Sequence, residues 1–152
     1  METQEASDLA HSLMNEHGLT SWTFAFDNAV SRFGQCNGGI RQITLSKKLT
    51  ELNDEKHVRD TILHEVAHAL VGARVGHSRL WRAKAKAIGC NGERCYTSEI
   101  VTPKRKYKGT CPACSREVTR HIRSKVACSV CCREKNQGQF DYKYVFIWKL
   151  NA

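Results

Sequence analysis

No stretch of this 152-residue chain approaches the roughly 18 consecutive apolar residues that a membrane-spanning helix requires. The first residues, Met1-Glu2-Thr3-Gln4-Glu5, are polar and acidic and lack the basic-then-apolar layout of a secretory leader. An intracellular protein is expected, cytoplasmic or at the nucleoid or nucleus. Internal repeats and low-complexity tracts are also missing. Acidic residues are scarce in one region only. Residues 102–152 hold 3 Asp+Glu against 12 Lys+Arg, whereas residues 1–101 hold 12 of each, so the last third carries the whole formal excess of +9. Lys104, Arg105, Lys106, Lys108, Arg116, Arg120, Arg123 and Lys125, followed by Arg133 and Lys135, crowd into one short span. Cations grouped in this way displace counterions from a phosphate backbone, so nucleic acid, DNA foremost, is the expected partner and the first eight are candidate contact residues.

Eight cysteines are present, and in a reducing compartment metal explains them better than disulfides. Cys111-Pro112-Ala113-Cys114 is followed, thirteen residues on, by Cys128-Ser129-Val130-Cys131. Two CxxC knuckles at this distance supply four thiolates for a tetrahedral structural zinc. Cys132 could stand in for Cys131, although the spacing favours Cys131. The segments around Val118 to Ile122 and Tyr142 to Leu150 alternate as strands do, which makes the last fifty residues a β zinc ribbon, folded largely by its metal. Cys36, Cys90 and Cys95 have no partner at ligand spacing and read as ordinary small residues.

His64-Glu65-Val66-Ala67-His68 spells HExxH. Residues four apart on a helix stand one turn above the other, so both imidazoles can reach one ion, with Glu65 beside it as a general base. A helix over about Asp54 to Val71 is expected, with Asn53 as its N-cap and Asp54 and Glu55 in its acidic first turn. Val58, Ile62, Val66 and Leu70, widened by Leu63, Ala67 and Val71, form its apolar stripe. His57, Thr61, His64 and His68 follow another line, which aims the two motif histidines into a cleft. Gly72 and Gly76 offer stops. A catalytic zinc takes three protein ligands and leaves one position open. His77 is the evident third; Glu93 and Glu99 are the carboxylates near enough to compete. Elsewhere the patterns give a helix over residues 5–17, a strand at Trp22 to Phe26, short strands around Phe33 and Ile43, and a helix over about Ser78 to Ile88. Pro103 and the basic run place a module boundary near residue 102.

The stretch Thr61 to Trp81, TILHEVAHALVGARVGHSRLW, resembles the active-site region of the SprT-like (Spartan-type) zinc metallopeptidases. In that pattern the HExxH helix is followed by a turn and then by Gly-His and an aromatic residue, here Gly76, His77 and Trp81. Arg32 to Cys36 and Arg41 to Ser46 resemble the strands before the family's motif helix, and the CxxC pairs its C-terminal ribbon. The resemblance implies an α+β fold: residues 1–101 form a minimal zincin-like core of N-terminal helix, three-stranded sheet, HExxH helix and following helix, and 102–152 a basic zinc ribbon. It implies a monomeric endopeptidase with two zinc ions. One sits on His64, His68 and His77 with Glu65 as base, the other on Cys111, Cys114, Cys128 and Cys131. Its substrates would be DNA-associated proteins, for example DNA–protein crosslinks. The rival reading is a nucleic-acid-binding ribbon protein of transcription whose HExxH site is silent or structural.

Overall fold

A computed structural model describes residues 1–95 and 99–152. The chain is α+β and divides into two compact units, Met1–Pro103 and Lys104–Ala152. None of the helices described is long and apolar enough to cross a membrane.

The N-terminal unit begins with α1 (Thr3–Glu16), which buries Ala6, Ala10, Leu13 and Met14 at helical spacing. Three strands follow, β1 (Thr23–Asp27), β2 (Gly34–Asn37) and β3 (Gln42–Ser46). The sheet order is β1-β3-β2, with β1 parallel and β2 antiparallel to the central β3. Ile43 and Leu45 alternate on β3 and are fully buried, as a half-covered sheet demands. Phe33, expected within a strand, lies just before β2 and is instead a buried core residue.

Ser46 ends β3 and at once caps α2 (Lys47–Leu52), accepting from the Leu49 N–H at 3.1 Å. The long helix α3 (Glu55–Val71) then starts one residue later than expected. Asp54, not Asn53, is the N-cap: its carboxylate accepts from the His57 N–H at 3.1 Å. Asn53 is drawn into a different task. Buried at the end of α2, it donates to the carbonyls of Leu49 and Val101 and accepts from the Val101 N–H, each at 2.8 Å, which pins residue 101 to the helix junction. Val58, Ile62, Leu63, Val66 and Ala67 of α3 enter the core, whereas Leu70 stays exposed. Gly72 (φ 93°) closes α3 by donating to the His68 carbonyl, a conformation that L side chains avoid. One 3₁₀ turn later, α4 (Arg79–Ala87) buries Trp81 and Ala85 against α3, with Ser78 as its cap.

The C-terminal unit is a three-stranded antiparallel sheet, β4 (Tyr107–Thr110), β5 (Glu117–Arg120) and β6 (Ile147–Leu150), in the order β5-β4-β6. A short helix, α5 (Ser129–Lys135), starts at the second CxxC, where strand reasoning foresaw none. The run from Tyr142 is likewise not one strand: a 3₁₀ turn at Tyr142–Tyr144 precedes β6. This unit buries few side chains: Cys111, Cys128, Cys131 and Phe146, flanked by Val118, Val130, Tyr144 and Trp148, form its core, and Cys132 is buried beside them in sequence.

Gly109 sits opposite Trp148 on the ladder, and the indole lies flat where a side chain would be. A Cβ there would come within 2.8 Å of the ring, whose N–H also donates to the Ser124 carbonyl at 2.8 Å. Gly109→Ala is expected to push the ring off this seat and destabilise the unit by about 1–3 kcal/mol. The Trp148 indole N–H resonance should shift and the unfolding midpoint of this unit fall; an unchanged midpoint would mean the ring relocates without loss.

Candidate functional site

Two groups of metal-ligating side chains are present among the described residues, one in each unit. In the N-terminal unit His64 and His68 project from successive turns of α3, and the turn through Gly76 returns His77 over them. The Nε2 of His77 lies 2.9 Å from that of His64 and 3.1 Å from that of His68. Hydrogen bonding cannot satisfy this arrangement. The His77 Nε2 offers one proton or one lone pair along one direction, so it can serve one neighbour well and the other only poorly. Nitrogens sharing a tetrahedral zinc at ~2.0–2.1 Å stand roughly 3.3 Å apart, close to the spacing seen. Burial, with the neighbouring His68 and His77, lowers the His64 imidazole to about 4. Burial and His77 do the same for His68, to about 4, and burial with Arg94 lowers His77. All three rings are therefore neutral, the form that binds a metal. The donor set fits zinc.

Trp81 forms the floor beneath them. Its ring centroid lies 4.5, 5.2 and 4.6 Å from those of His64, His68 and His77. It is fully buried, so the rings rest on a rigid apolar surface. The backbone of Glu93 also approaches His64 and raises its proton affinity, the smallest of the influences on that ring. That is the part Glu93 plays: neither its carboxylate nor that of Glu99 joins the cluster, and Glu99 instead stands 3.5 Å from His57 Nε2.

Glu65 is only 7% exposed and yet lines the same cleft, of about 630 Å³, as the three histidines. Burial pushes its carboxyl up to about 7, against the pull of Arg32. What admits it is Gly34 on β2: a Cβ there would stand 2.7 Å from Glu65 Oε1 and 2.8 Å from its Cγ. The strand can pass so close to α3 only because that residue has no side chain. Sequence patterns gave no warning of this contact, because it joins residues 31 apart and carries no spacing rule. Arg32, paired to Asp27 at 3.0 Å, Cys36 and Arg94 also line the cleft. The Cys36 thiol is pushed up to about 12 by burial and by Glu65, which leaves it inert as a nucleophile.

In the C-terminal unit Cys111, Cys114, Cys128 and Cys131 bring their sulfurs within 4.8 Å of one another. Cys111 to Cys131 and Cys114 to Cys128 are each 3.8 Å apart. Thiolates on a tetrahedral zinc at ~2.3 Å stand roughly 3.8 Å apart, so this set fits as well. Although burial opposes it, the backbone N–H groups of Cys114 and Ala113 draw Cys111 down to about 7. Cys131 is pushed up to about 12 by the Cys114 thiol, burial and the other sulfurs. Four thiolates need a cation among them to share this space. Cys132 is buried outside the cluster, so the ambiguity between it and Cys131 falls to Cys131. Cys90 is buried, with its thiol pushed up to about 12, and Cys95 is exposed; neither joins a metal-ligating group.

Of the eight candidate contact cations, Lys104, Arg105, Lys106, Arg116, Arg120, Arg123 and Lys125 are exposed. Lys108 is half-buried and already paired to Glu117 at 2.8 Å, and Arg105 donates to the Thr119 carbonyl at 2.9 Å. Composition missed the aromatic rings between them. Lys125 lies 4.5 Å over Tyr142 and Arg123 lies 5.3 Å over Tyr107. Phe140 and Tyr142, both exposed, meet edge to face.

Fold and site together define an α+β chain with a helix-borne histidine metal cluster and a separate four-cysteine cluster. Residues 5–102 match the family model described as SprT-like, and the chain belongs to the SprT-like family, whose domain is of the zinc metallopeptidase type. No curated protein and no solved structure is significantly similar to it.

The two clusters differ in closure, and this is measurable. Zinc titration should give two ions per chain. A chelator should strip the three-histidine site, which keeps an open position, well before the four-thiolate site. One ion per chain, still bound after His64→Ala and His68→Ala, would contradict the first site.

Proposed function

We propose that this protein is a zinc-dependent endopeptidase acting on proteins associated with nucleic acid. His64, His68 and His77 would hold the ion. Zinc, when bound, supplies Lewis acidity that polarises a peptide carbonyl and lets water attack it at neutral pH. Glu65 takes the proton that the water gives up and passes it to the leaving amine. Its burial suits that exchange, because a carboxyl held near 7 both accepts and returns a proton. Among the described residues β2 is an edge strand along the cleft, so its outer side can pair with an extended substrate chain. Trp81 fixes the imidazoles and excludes water from behind them.

The C-terminal unit, in this reading, is a zinc ribbon that binds DNA. Its cations answer phosphates, and Tyr107, Phe140 and Tyr142 offer rings for bases to stack on. The rest of the reading is an intracellular, monomeric enzyme whose substrates include DNA–protein crosslinks.

One observation carries the peptidase over a silent site: the carboxylate of Glu65, buried at the histidine cluster behind a glycine that makes room for it. A structural ion needs the histidines alone. Glu65→Gln keeps size and shape while deleting the base. Zinc content, fold and nucleic-acid binding should persist, and cleavage of a DNA-bound protein should fall about 10²–10⁴-fold. Equal activity in the variant and wild type would remove the mechanism; activity in neither would promote the binding protein with a silent site.

Gly34→Ala tests the same carboxylate from across the cleft. The added methyl would displace Glu65 without touching a histidine, so zinc should remain while cleavage drops at least tenfold, chiefly in kcat. Wild-type kcat in this variant would mean that the close approach of β2 has no bearing on the reaction.

A further inference from the structure

The even charge balance of residues 1–101 conceals a separation. Residues 1–71 hold 6 Lys+Arg against 10 Asp+Glu, whereas residues 72–95 hold Arg74, Arg79, Arg82, Lys84, Lys86 and Arg94 against Glu93 alone. All six cations are exposed, and among the described residues no ion pair or hydrogen bond engages their side chains. Four of them lie on α4. At 100° per residue Arg79, Arg82 and Lys86 fall within a stripe roughly 60° wide, while Lys84 lies on the other flank.

Helix stability does not account for the stripe. Lys84 and Lys86 in the last turn complement the helix dipole, but Arg79 and Arg82 sit in the first turn, which has no acidic residue. Cations there oppose the dipole. The stripe also has a fixed neighbour. A Cβ on Gly92 would stand 3.1 Å from Lys86 Cγ and 3.4 Å from Arg82 Cγ, so the stems of both lie along the segment that continues into Asn91, Glu93 and Arg94. Those three residues line the cleft of the histidine cluster.

We propose that Arg79, Arg82 and Lys86 form a phosphate-binding track on the N-terminal unit, which leads a nucleic-acid backbone along the rim of the histidine cleft. The track spans roughly 10 Å at 1.5 Å per residue. Three cations along that span can each reach a phosphate oxygen of one strand. This deepens the reading given above, since it gives the metal-bearing unit its own hold on the nucleic acid, independent of the cysteine unit. A protein attached to that nucleic acid would be delivered to the mouth of the cleft.

The test uses the full chain and a mixed-sequence single-stranded oligonucleotide, with affinity measured across a range of salt. Arg79→Gln, Arg82→Gln and Lys86→Gln together should reduce the slope of log K against log salt by about 2, near 0.7 for each lost phosphate contact. Lys84→Gln, on the other flank of the same helix, should leave it unchanged. Zinc content of the triple variant reports that the unit is still folded. A wild-type slope in the triple variant overturns the track while leaving the cysteine unit as the binding site. A wild type with no salt-dependent binding at all overturns the track and the nucleic-acid part of the proposed function together. A triple variant that keeps its slope but loses capture by an acidic protein gives the stripe to a protein partner, and the proposal falls.

Discussion

Three imidazole nitrogens converge at 2.9 and 3.1 Å, a spacing that one shared cation satisfies better than ring protons do, and much of the N-terminal unit serves to hold them there. Two come from successive turns of α3, which must therefore bury one line of residues and present another within the same turn. Val58, Ile62 and Val66 anchor the helix from one side. Gly72 stops it, and the short return through Gly76 brings His77 back. Trp81, the first buried residue of α4, then closes the space behind all three rings. Displacing any of these changes where the nitrogens converge. The fold is thus less a container for the site than the means of bringing the three nitrogens together before an ion arrives.

The C-terminal unit meets the same difficulty with less material. Its buried set is four cysteines and one phenylalanine, too little apolar area to offset the ordering of some fifty residues. The four sulfurs occupy the place a core would fill, and the thiol of Cys111 is drawn down while that of Cys131 is pushed up, as crowded sulfurs sharing protons would be. A structural metal there would be folding free energy outright. Packing of Trp148 over Gly109 is among the few contacts in this unit that are independent of the sulfurs.

Much of this was legible in the sequence wherever a spacing rule applies. The i, i+4 histidines, the apolar line of α3 and the two CxxC pairs each encode a local geometry, and each cluster forms from the residues so indicated. The failures share a cause. Asn53 looked like a cap because Asn and Asp are both good caps; only the tertiary demand of Val101 draws Asn53 away and leaves Asp54 to do it. α2 and α5 are six and seven residues long, too short for periodicity to register. The approach of Gly34 to Glu65 has no signature because the two residues meet only after β2 packs on α3. The likeness of Arg32 to Cys36 to family strands marked the segment without revealing what its glycine was for.

Charge is the instructive case, because the sum over 1–101 was right and still hid what mattered. Net charge is a property of a sequence interval, whereas a ligand meets a surface. An interval that spans four helices and a sheet averages an acidic part with a basic one. Dividing it where α3 ends, at Gly72, separates them. Burial then decides which of those cations can act. Trp81 and Ala85 face inward, so the intervening positions of α4 must face water, and cations fill four of them. Amphipathicity alone would accept Glu or Gln at each. Arg in a first turn that the dipole disfavours is not what burial or capping selects for, which leaves an anion outside the chain as the reason for its charge.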